Sequence, residues 1–207
     1  FGVRILEGYG VTETAPVISI NTPMYNRSGT VGKIMPGMEY RLDPVPGVDD
    51  GGRLFVRGPN VMQSYLGRPE KTAEVLRDGW YNTGDIAAMD EDGFIYIVDR
   101  VKDMIISGGE NIYSREVENA VYLHPAVREC AVIGVPSDQW GESVMAIVSL
   151  KEGSQVSEQE IIDHCRTLIA RYKCPQLVQF RDALPVSGAG KILKNLLREP
   201  HWQGKEK

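Results

Sequence analysis

The first half of the chain consists of short apolar runs divided by turn residues, a pattern typical of strands and hairpins. Residues 53–57 alternate between polar and apolar and follow Asp50-Gly51-Gly52, which predicts a turn and then a strand. Asp92-Gly93 separates two further apolar runs and predicts a hairpin. The elements predicted here are an extended segment at 17–20, a strand at 53–57, a short helix at 70–76 and hairpin strands at 86–89 and 94–98.

The second half contains the clearest helix signal. Ser157 is followed three residues later by Glu160, which is a capping box, and apolar residues then recur at helical spacing as far as Tyr172. On this pattern Cys165 lies in the core and His164 lies on the exposed side of the helix. The apolar stripe is formed by Ile161, Ile162, Cys165, Leu168, Ile169 and Tyr172. The other predicted elements are helices at 114–123 and 193–198 and strands at 129–135, 144–150 and 178–180.

Composition is that of a soluble globular protein with one or two small domains, since 42% of the 207 residues are hydrophobic and 25% are charged. No apolar run approaches the ~20 residues that span a bilayer. The net charge of −5, without a basic stripe, argues against nucleic-acid binding. Cys130, Cys165 and Cys174 lack the number and spacing of a disulfide or metal framework, which favours a reducing, cytoplasmic compartment.

Two segments in the first half carry residues suited to nucleotide chemistry. In Gly8-Tyr9-Gly10-Val11-Thr12-Glu13 the glycines allow close approach of a ligand, the ring can stack on a base, the hydroxyl can bind a phosphate and the carboxylate can hold Mg²⁺. In Trp80-Tyr81-Asn82-Thr83-Gly84-Asp85 the carboxylate can accept hydrogen bonds from two vicinal hydroxyls. Taken singly, the first segment equally suits a tight turn around a buried Tyr9, and the second favours a turn or cap role for Asp85.

A charged cluster follows at Asp99-Arg100-Val101-Lys102-Asp103. Such clusters usually form solvated surface, although Arg100 has a fork of donors suited to a ribose or a phosphate. The turn sequence Ser107-Gly108-Gly109-Glu110 comes next, ahead of a predicted helix.

The last candidate segment is Ser187-Gly188-Ala189-Gly190-Lys191-Ile192. It superficially resembles a phosphate-binding P-loop, but Pro185 stands where that motif requires glycine, and Ile192 stands where it requires Ser or Thr. Two interpretations remain: a mobile glycine loop that presents Lys191, and a plain surface lysine.

The order of these segments is more specific than any one of them. Tyr-Gly-x-Thr-Glu, Tyr-x-Thr-Gly-Asp, Asp-Arg-x-Lys-Asp, Ser-Gly-Gly-Glu-Asn and Ser-Gly-x-Gly-Lys follow one another along the chain. Together they resemble the AMP-binding, acyl-CoA-synthetase-like ligases, and the resemblance extends over essentially the whole chain. That family activates a carboxylic acid with ATP as an acyl-adenylate and passes the acyl group to a thiol.

The resemblance implies a role for each matching residue, with ATP, Mg²⁺ and CoA as the small molecules bound. For the nucleotide, it assigns adenine stacking to Tyr9, nucleotide binding to Gly10 and phosphate contact to Thr12, and it assigns the ribose hydroxyls to Asp85 and Arg100. It assigns Mg²⁺ binding to Glu13 and the adenylation step to Lys191. The hinge is assigned to Lys102, and the path of CoA is assigned to Ser107, Gly108, Gly109 and Glu110.

The resemblance also implies an α+β fold in two parts. Residues 1–99 would be the C-terminal part of the large AMP-binding domain, including a distorted β-barrel. Residues 100–207 would be a small mobile domain with a central sheet flanked by helices and a hinge near residue 102. The chain begins at Phe1 rather than Met, and the family's Ser/Thr/Gly-rich phosphate loop would lie upstream. We therefore expect a C-terminal fragment that needs the N-terminal part of the same enzyme and does not catalyse adenylation alone.

The segments at 21–23 and 36–47 resemble those of fatty-acid-activating members. The expected substrates are therefore a fatty or other apolar carboxylic acid, ATP and CoA, and the expected location is cytoplasmic, or peripheral at a membrane through the lipid substrate. The alternatives are a ligase that loads an acyl-carrier protein, a luciferase-like member and a non-catalytic interaction module. Retention of Glu13, Asp85, Arg100 and Lys191 favours an enzyme over the last of these.

Overall fold

The structure is a computed structural model that describes residues 3–46, 48, 51–188 and 190–204. The chain divides into two compact units, residues 1–102 and 103–207. The division falls three residues after the predicted boundary at 99, and Lys102 is the last residue of the first unit.

The first unit is mostly β-structure. Its described residues form β1 (Gly8–Gly10), β2 (Val17–Ile20), β3 (Lys33–Ile34), β4 (Glu39–Asp43), β5 (Gly51–Arg57), α1 (Pro69–Val75), β6 (Leu76–Arg77), β7 (Trp80–Met89) and β8 (Ile95–Arg100). The predicted hairpin is confirmed as β7 and β8, and β7 extends back to Trp80 because it also pairs with β5 and β6. Gly51 and Gly52 pair with β7 instead of forming the predicted turn, and Asp50 lies outside the described residues.

These strands form two antiparallel sheets. One has the order β1-β2-β3, and the other has the order β4-β5-β7-β6 with β8 also paired to β7. Backbone hydrogen bonds of 2.9 Å, from Val31 N to Ile95 O and from Ile95 N to Gly32 O, link the two sheets. Because these bonds do not continue as a strand ladder, the described residues of this unit form open sheets and not the closed, distorted barrel that was expected.

Alternation along β5 separates the core from the functional surface of this unit. Leu54 and Val56 are fully buried and pack with Ile18 and Ile95. Arg53 therefore points to the opposite face, because successive side chains of a strand lie on opposite sides of the sheet.

The second unit is a sheet with helices on both faces, which confirms the expected α+β arrangement. Its described residues form β9 (Ile105–Ser107), β10 (Glu110–Ile112), α2 (Ser114–Tyr122), β11 (Val127–Ser137), β12 (Gly141–Leu150), α3 (Glu158–Arg166), β13 (Leu177–Phe180) and α4 (Lys194–Trp202). The sheet has the order β10-β9-β12-β11, and β13 runs parallel to β12. None of the helices in the described ranges is long and apolar enough to cross a bilayer.

Alternate residues of β11 belong to the two faces of this sheet. Val132 packs with α2 and α3, whereas Ile133 packs with Leu197 of α4. The helix α4 therefore covers its own face of the sheet, and the loop before α4 carries Lys191.

The helix α3 is shorter than its apolar stripe predicts. Its capping box is confirmed, with Ser157 Oγ accepting from Glu160 N at 3.2 Å and Glu160 Oε2 accepting from Ser157 N at 2.8 Å. The helix ends at Arg166, and Leu168 and Tyr172 are 46% and 50% exposed. Short-range bonds at the helix end, including Leu168 N to Cys165 O at 3.0 Å, tighten the last turn and stop the helix.

His164 is not on an exposed face, contrary to the prediction. Its ring lies half-buried against that of His124, edge to face, with 5.0 Å between ring centroids. Cys165 is fully buried, as predicted.

Candidate active site

The segment between β1 and β2 is fixed by close backbone packing. Gly10 admits no side chain, since a Cβ there would lie 1.6 Å from the carbonyl oxygen of Pro16. Thr12–Thr14 then form a 3₁₀ turn. Asn60 Nδ2 donates to the carbonyl of Thr14 at 2.7 Å and anchors this turn from a separate part of the chain. The motif therefore has one conformation, in which Thr12 is exposed.

Glu13 is held in place by a residue that the sequence motifs did not reveal. Tyr65 Oη donates to Glu13 Oε1 at 2.6 Å, and the backbone N–H of Met62 donates to the carbonyl of Glu13 at 2.8 Å. The hydrogen bond to Glu13 raises the pKa of Tyr65 above its ordinary value. The carboxylate is thus oriented before any ligand binds. Nothing in the local sequence marks Tyr65 as its partner.

Asp85 lies on a bulge in β7. Arg53 of β5 is opposite Ile86, yet Phe55 is opposite Asn82, so residues 83–85 have fewer partners than their number requires. Thr83 Oγ1 donates to Leu54 O at 2.9 Å and accepts from Asp85 N at 3.2 Å, which fixes the bulge. Bulges of this kind re-aim side chains at functional sites.

The Asp85 carboxylate is shared between Tyr9 and Arg100. Tyr9 Oη donates to Oδ2 at 2.5 Å, and Arg100 Nε lies 3.6 Å from Oδ1. The Asp85 side chain is 10% exposed and that of Arg100 is 54% exposed. Burial raises the pKa of Asp85, while the hydrogen bond from Tyr9 and the charges of Arg100 and Lys102 act in the opposite direction. These side-chain partners show that Asp85 is more than a turn or cap residue.

Burial, with the charge of Asp85, raises the pKa of Tyr9. The phenol therefore stays protonated and can only donate to the carboxylate at neutral pH. Each Asp85 oxygen has one partner, Tyr9 or Arg100, and the residue lines a cavity from which a ligand could donate a further hydrogen bond.

A cavity of about 400 Å³ opens beside Asp85. Three cationic side chains line it, Arg53, Arg100 and Lys102, together with the single carboxylate of Asp85. Arg53 was not revealed by the sequence motifs. Its side chain makes no hydrogen bond or ion pair with the described residues, and it faces the cavity because of its place on β5. The cavity suits a ligand that combines hydroxyl groups with negative charge.

The charged cluster at 99–103 is only partly solvated surface. Asp99 and Asp103 are 6% and 8% exposed, whereas Arg100 and Lys102 are exposed. Asp103 Oδ1 lies 3.0 Å from Arg198 Nη2, and Asp99 Oδ1 accepts from the backbone N–H of Arg100 at 2.8 Å.

Gly108 and Gly109 form the two-residue turn between β9 and β10, each with a positive φ angle. The indole of Trp140 covers this turn, and a Cβ at Gly108 would lie 3.0 Å from its ring. Ser107 is buried and Glu110 is exposed, so the tip of the turn and Glu110 are the parts open to a ligand.

Lys191 lies on a hairpin in the second unit. A β-bridge between Val186 and Ile192 closes the hairpin, and Ser187 N donates to Lys191 O at 2.7 Å. The Lys191 side chain is exposed, and its amine has no partner among the described residues. Ala189 lies outside the described residues.

The structure thus brings Asp85, Arg100 and Lys102 together around one cavity, and Tyr9 reaches it through its hydrogen bond to Asp85. The carboxylate of Glu13 is separately held by Tyr65. The described residues contain no cluster of three or more metal-ligating side chains. A single oriented carboxylate nevertheless fits Mg²⁺, which is usually held by one or two carboxylates together with substrate phosphates and water.

Family profiles match both units of the chain. The profile described as "AMP-binding enzyme" matches residues 1–66, and the profile described as "AMP-binding enzyme C-terminal domain" matches residues 116–191. The chain belongs to the AMP-binding enzyme family. The predicted family is therefore confirmed, and the order of motifs along the sequence had indicated it.

Curated relatives of this family are similar over nearly the whole chain. A feruloyl-CoA synthase from Amycolatopsis sp is 48% identical over 204 residues, covering 95% of this chain and 41% of the relative. A long-chain-fatty-acid–CoA ligase from Yersinia pestis is 47% identical over 203 residues, covering 96% of this chain and 36% of the relative. The chain thus spans about two fifths of the length of these relatives.

Solved structures of AMP-binding enzymes share the fold. ATP-bound MatB from Rhodopseudomonas palustris has a TM-score of 0.88 and 38% identity, covering 99% of this chain and 42% of that chain. The o-succinylbenzoate–CoA synthetase of Bacillus subtilis, in complex with its acyl-adenylate intermediate, has a TM-score of 0.84 and 37% identity, covering 95% of this chain and 41% of that chain.

Proposed function

We propose that this chain supplies the ribose site, the metal carboxylate and the adenylation lysine of an ATP-dependent acid–CoA ligase. The observation that carries the proposal is the buried Asp85 carboxylate, held by Tyr9 and Arg100 at the edge of a cationic cavity. A nucleotide has the matching groups: vicinal hydroxyls for a carboxylate and phosphates for the cations.

The proposed nucleotide contacts use residues on the first unit. Asp85 accepts from the two ribose hydroxyls, Arg100 supports them, and the ring of Tyr9 stacks on adenine beside Gly10. Thr12 contacts the phosphates. Arg53 adds a cation that the family motifs do not include, and it faces the same cavity as Asp85.

In the first half-reaction, a carboxylate oxygen of the acid attacks the α-phosphorus of ATP and pyrophosphate leaves. Negative charge grows on the phosphate oxygens, and the ammonium of Lys191 stabilises it. Mg²⁺ bound at Glu13 would neutralise phosphate charge. Removal of one such stabilising group typically lowers the rate by about 10²–10³.

In the second half-reaction, the thiol sulfur of CoA attacks the acyl carbonyl carbon, its proton is lost to solvent and AMP leaves. Lys191 has no role in this step, so the two half-reactions need different groups from the second unit. A rotation about Lys102 that replaces Lys191 with the turn from Ser107 to Glu110 would meet this need. We also propose that the boundary between the two domains of the enzyme lies near residues 99–102.

Two classes of acid are candidates. The fatty-acid class follows from the sequence resemblance and from the long-chain-fatty-acid–CoA ligase relatives. The feruloyl-CoA synthase relatives, at 48% identity, favour an aromatic acid as the second candidate.

The test is thioester formation by the full-length protein that carries this chain, with ATP and Mg²⁺. Dodecanoate, oleate and ferulate would be offered, with CoA and holo acyl-carrier protein as rival acceptors. We expect acyl-CoA from one acid class and its loss in Lys191→Ala. Acyl-carrier product without acyl-CoA would assign the protein to the carrier-loading ligases, and absence of adenylate from every acid would support a non-catalytic module.

The chain by itself offers a second measurement. We expect it to show no ATP–pyrophosphate exchange, since about three fifths of the length of its relatives is outside the matched region. Exchange at the rate of the full-length protein would contradict this.

A further inference from the structure

Lys191 has a neighbouring lysine in a very different environment. Lys194, the first residue of α4, follows three residues later, and its side chain is only 17% exposed. A lysine is rarely buried unless it is paired. Lys191 is presented to a ligand, whereas Lys194 is fully engaged by the protein.

The amine of Lys194 is held by two residues of α2. Its Nζ lies 2.7 Å from Glu118 Oε1 and donates to Ser114 Oγ at 2.7 Å. Ser114 and Glu118 are four residues apart and therefore lie on the same face of the helix. The Glu118 side chain is 16% exposed, so the ion pair is largely shielded from water.

Glu118 is in turn fixed to the central sheet. Its Oε1 also accepts from the backbone N–H of Val132, in β11, at 2.8 Å. Lys194 is thereby tied to a helix and to a sheet strand at the same point. A side chain that is held by two elements has little freedom to move. The backbone at Lys191, three residues before Lys194, is restricted for the same reason.

The base of the Lys191 hairpin is also fixed by backbone bonds. Leu193 N donates to Pro185 O at 2.8 Å, next to the bridge between Val186 and Ile192. The two constraints meet at residues 192–194, immediately after Lys191. They tie the backbone directly after Lys191 to the rest of the second unit.

We propose that Lys194 is a positioning residue for Lys191, acting through its shielded ion pair with Glu118. The inference rests on the proposed function of Lys191 in adenylation. Displacement of a catalytic group by about 1 Å can lower a rate about 100-fold. Loss of the Lys194 anchor should therefore affect the half-reaction that uses Lys191 and leave the other half-reaction unchanged.

The experiment measures the two half-reactions separately in the full-length protein. Adenylation is followed by ATP–pyrophosphate exchange, and thioester formation is followed from preformed dodecanoyl- or feruloyl-adenylate and CoA, according to the acid that the protein activates. We expect Lys194→Met to lower the kcat of adenylation by about 10- to 100-fold, with little change in KM for ATP, and to leave thioester formation within about twofold. Lys194→Arg should recover most of the adenylation rate.

A purely structural role of Lys194 predicts a different result. Damage to the second unit would lower both half-reactions in parallel, and that outcome, or unchanged adenylation, would overturn the proposal. Glu118→Gln keeps the size and the hydrogen bond to Val132 N, so it carries the same test if Lys194→Met does not fold. Trp202→Phe is the control on the same helix, because it keeps an aromatic ring and removes the bond from Nε1 to Gly134 O at the far end of α4.

Lys191→Ala separates this inference from the proposed function. Adenylation that survives Lys191→Ala refutes the function assigned to Lys191. Adenylation that is lost in Lys191→Ala but retained in Lys194→Met refutes only the positioning role.

Discussion

The substitution Asp85→Asn separates binding from stability at the proposed ribose site. The amide is nearly the same size as the carboxylate and can still accept the hydrogen bond from Tyr9, which is 2.5 Å in the native protein. It removes the charge and converts one acceptor oxygen into a donor. Hydrogen bonds to charged groups contribute about 1.5–3 kcal/mol. At about 1.4 kcal/mol for each factor of ten, the KM for ATP should rise about 10- to 100-fold.

The substitution Asp85→Asn is expected to weaken ATP binding but not to lower the stability of the folded protein. Burial raises the pKa of Asp85 in the folded protein, so the folded state disfavours the ionised form that predominates at pH 7. The contact that is lost, 3.6 Å to a half-exposed Arg100, contributes less than about 1 kcal/mol in such surroundings. The melting temperature should therefore stay unchanged or rise slightly in Asp85→Asn.

Asp90→Asn is the matched control, because Asp90 directly follows the same strand but has a structural role. Asp90 pairs with Arg27 and accepts from Phe94 N at 2.9 Å. Its partial burial alone would raise its pKa, yet the Phe94 N–H, the Tyr96 hydroxyl and Arg27 hold it below the ordinary value. This control should melt at a lower temperature with an unchanged KM for ATP. The assays are ATP–pyrophosphate exchange and thermal unfolding of the full-length protein. If Asp85→Asn behaves like the control, the ribose assignment is wrong.

Three further predictions follow from single contacts. Tyr65→Phe removes the hydrogen bond that orients Glu13, so the rate of adenylation should fall about fivefold to 100-fold and the Mg²⁺ concentration required should rise. The assay is a magnesium titration of pyrophosphate exchange, and an unchanged titration would contradict the role of Glu13. Arg53→Gln should raise the KM for ATP with little change in kcat, whereas Arg41→Gln, which breaks an exposed pair with Asp43 outside this cavity, should not. Burial and the neighbouring His164 lower the pKa of His124, so its contribution to stability is present above the unfolded pKa of about 6.5 and is lost as the pH falls through the folded value. The melting temperature should therefore drop between pH 7.5 and 5.5, and less in His124→Asn; an equal drop in both proteins would contradict this.

The local patterns in the sequence predicted the elements of the second unit well. The strands at 129–135 and 144–150 lie within β11 and β12, and the helix at 114–123 is α2 to within one residue. These segments carry strong periodicity and pack on one another. The end of α3 was not predictable in this way, because Leu168 and Tyr172 continue the apolar spacing although hydrogen bonds to residues three positions back stop the helix.

The residues around Asp85 show which part of a site the sequence can reveal. The segment containing Asp85 is ambiguous alone, and its place in the order of motifs along the chain identified it. Tyr65 and Arg53 were missed because each reaches the site through tertiary pairing, Tyr65 across 52 positions to Glu13 and Arg53 through the β5–β7 register. A lone tyrosine or arginine carries no local signal of such a contact.

Lys191 and Lys194 are only three residues apart, yet they have opposite environments in the structure. The amine of Lys194 has its hydrogen bonds and its counter-charge within the protein, so it gains nothing from a ligand. The amine of Lys191 has no partner in the described part of the chain. The guanidinium of Arg53, in the other unit, likewise has no hydrogen bond or ion pair with the described residues. Groups left unsatisfied next to well-anchored backbone are those free to stabilise charge on a substrate, because they need not break a protein contact to do so. On this argument the anchored lysine determines the geometry and the unpaired one performs the chemistry. The two substitutions should therefore have different effects. Lys191→Ala removes the charge that stabilises the substrate phosphates, whereas Lys194→Met keeps the charge of Lys191 but displaces it.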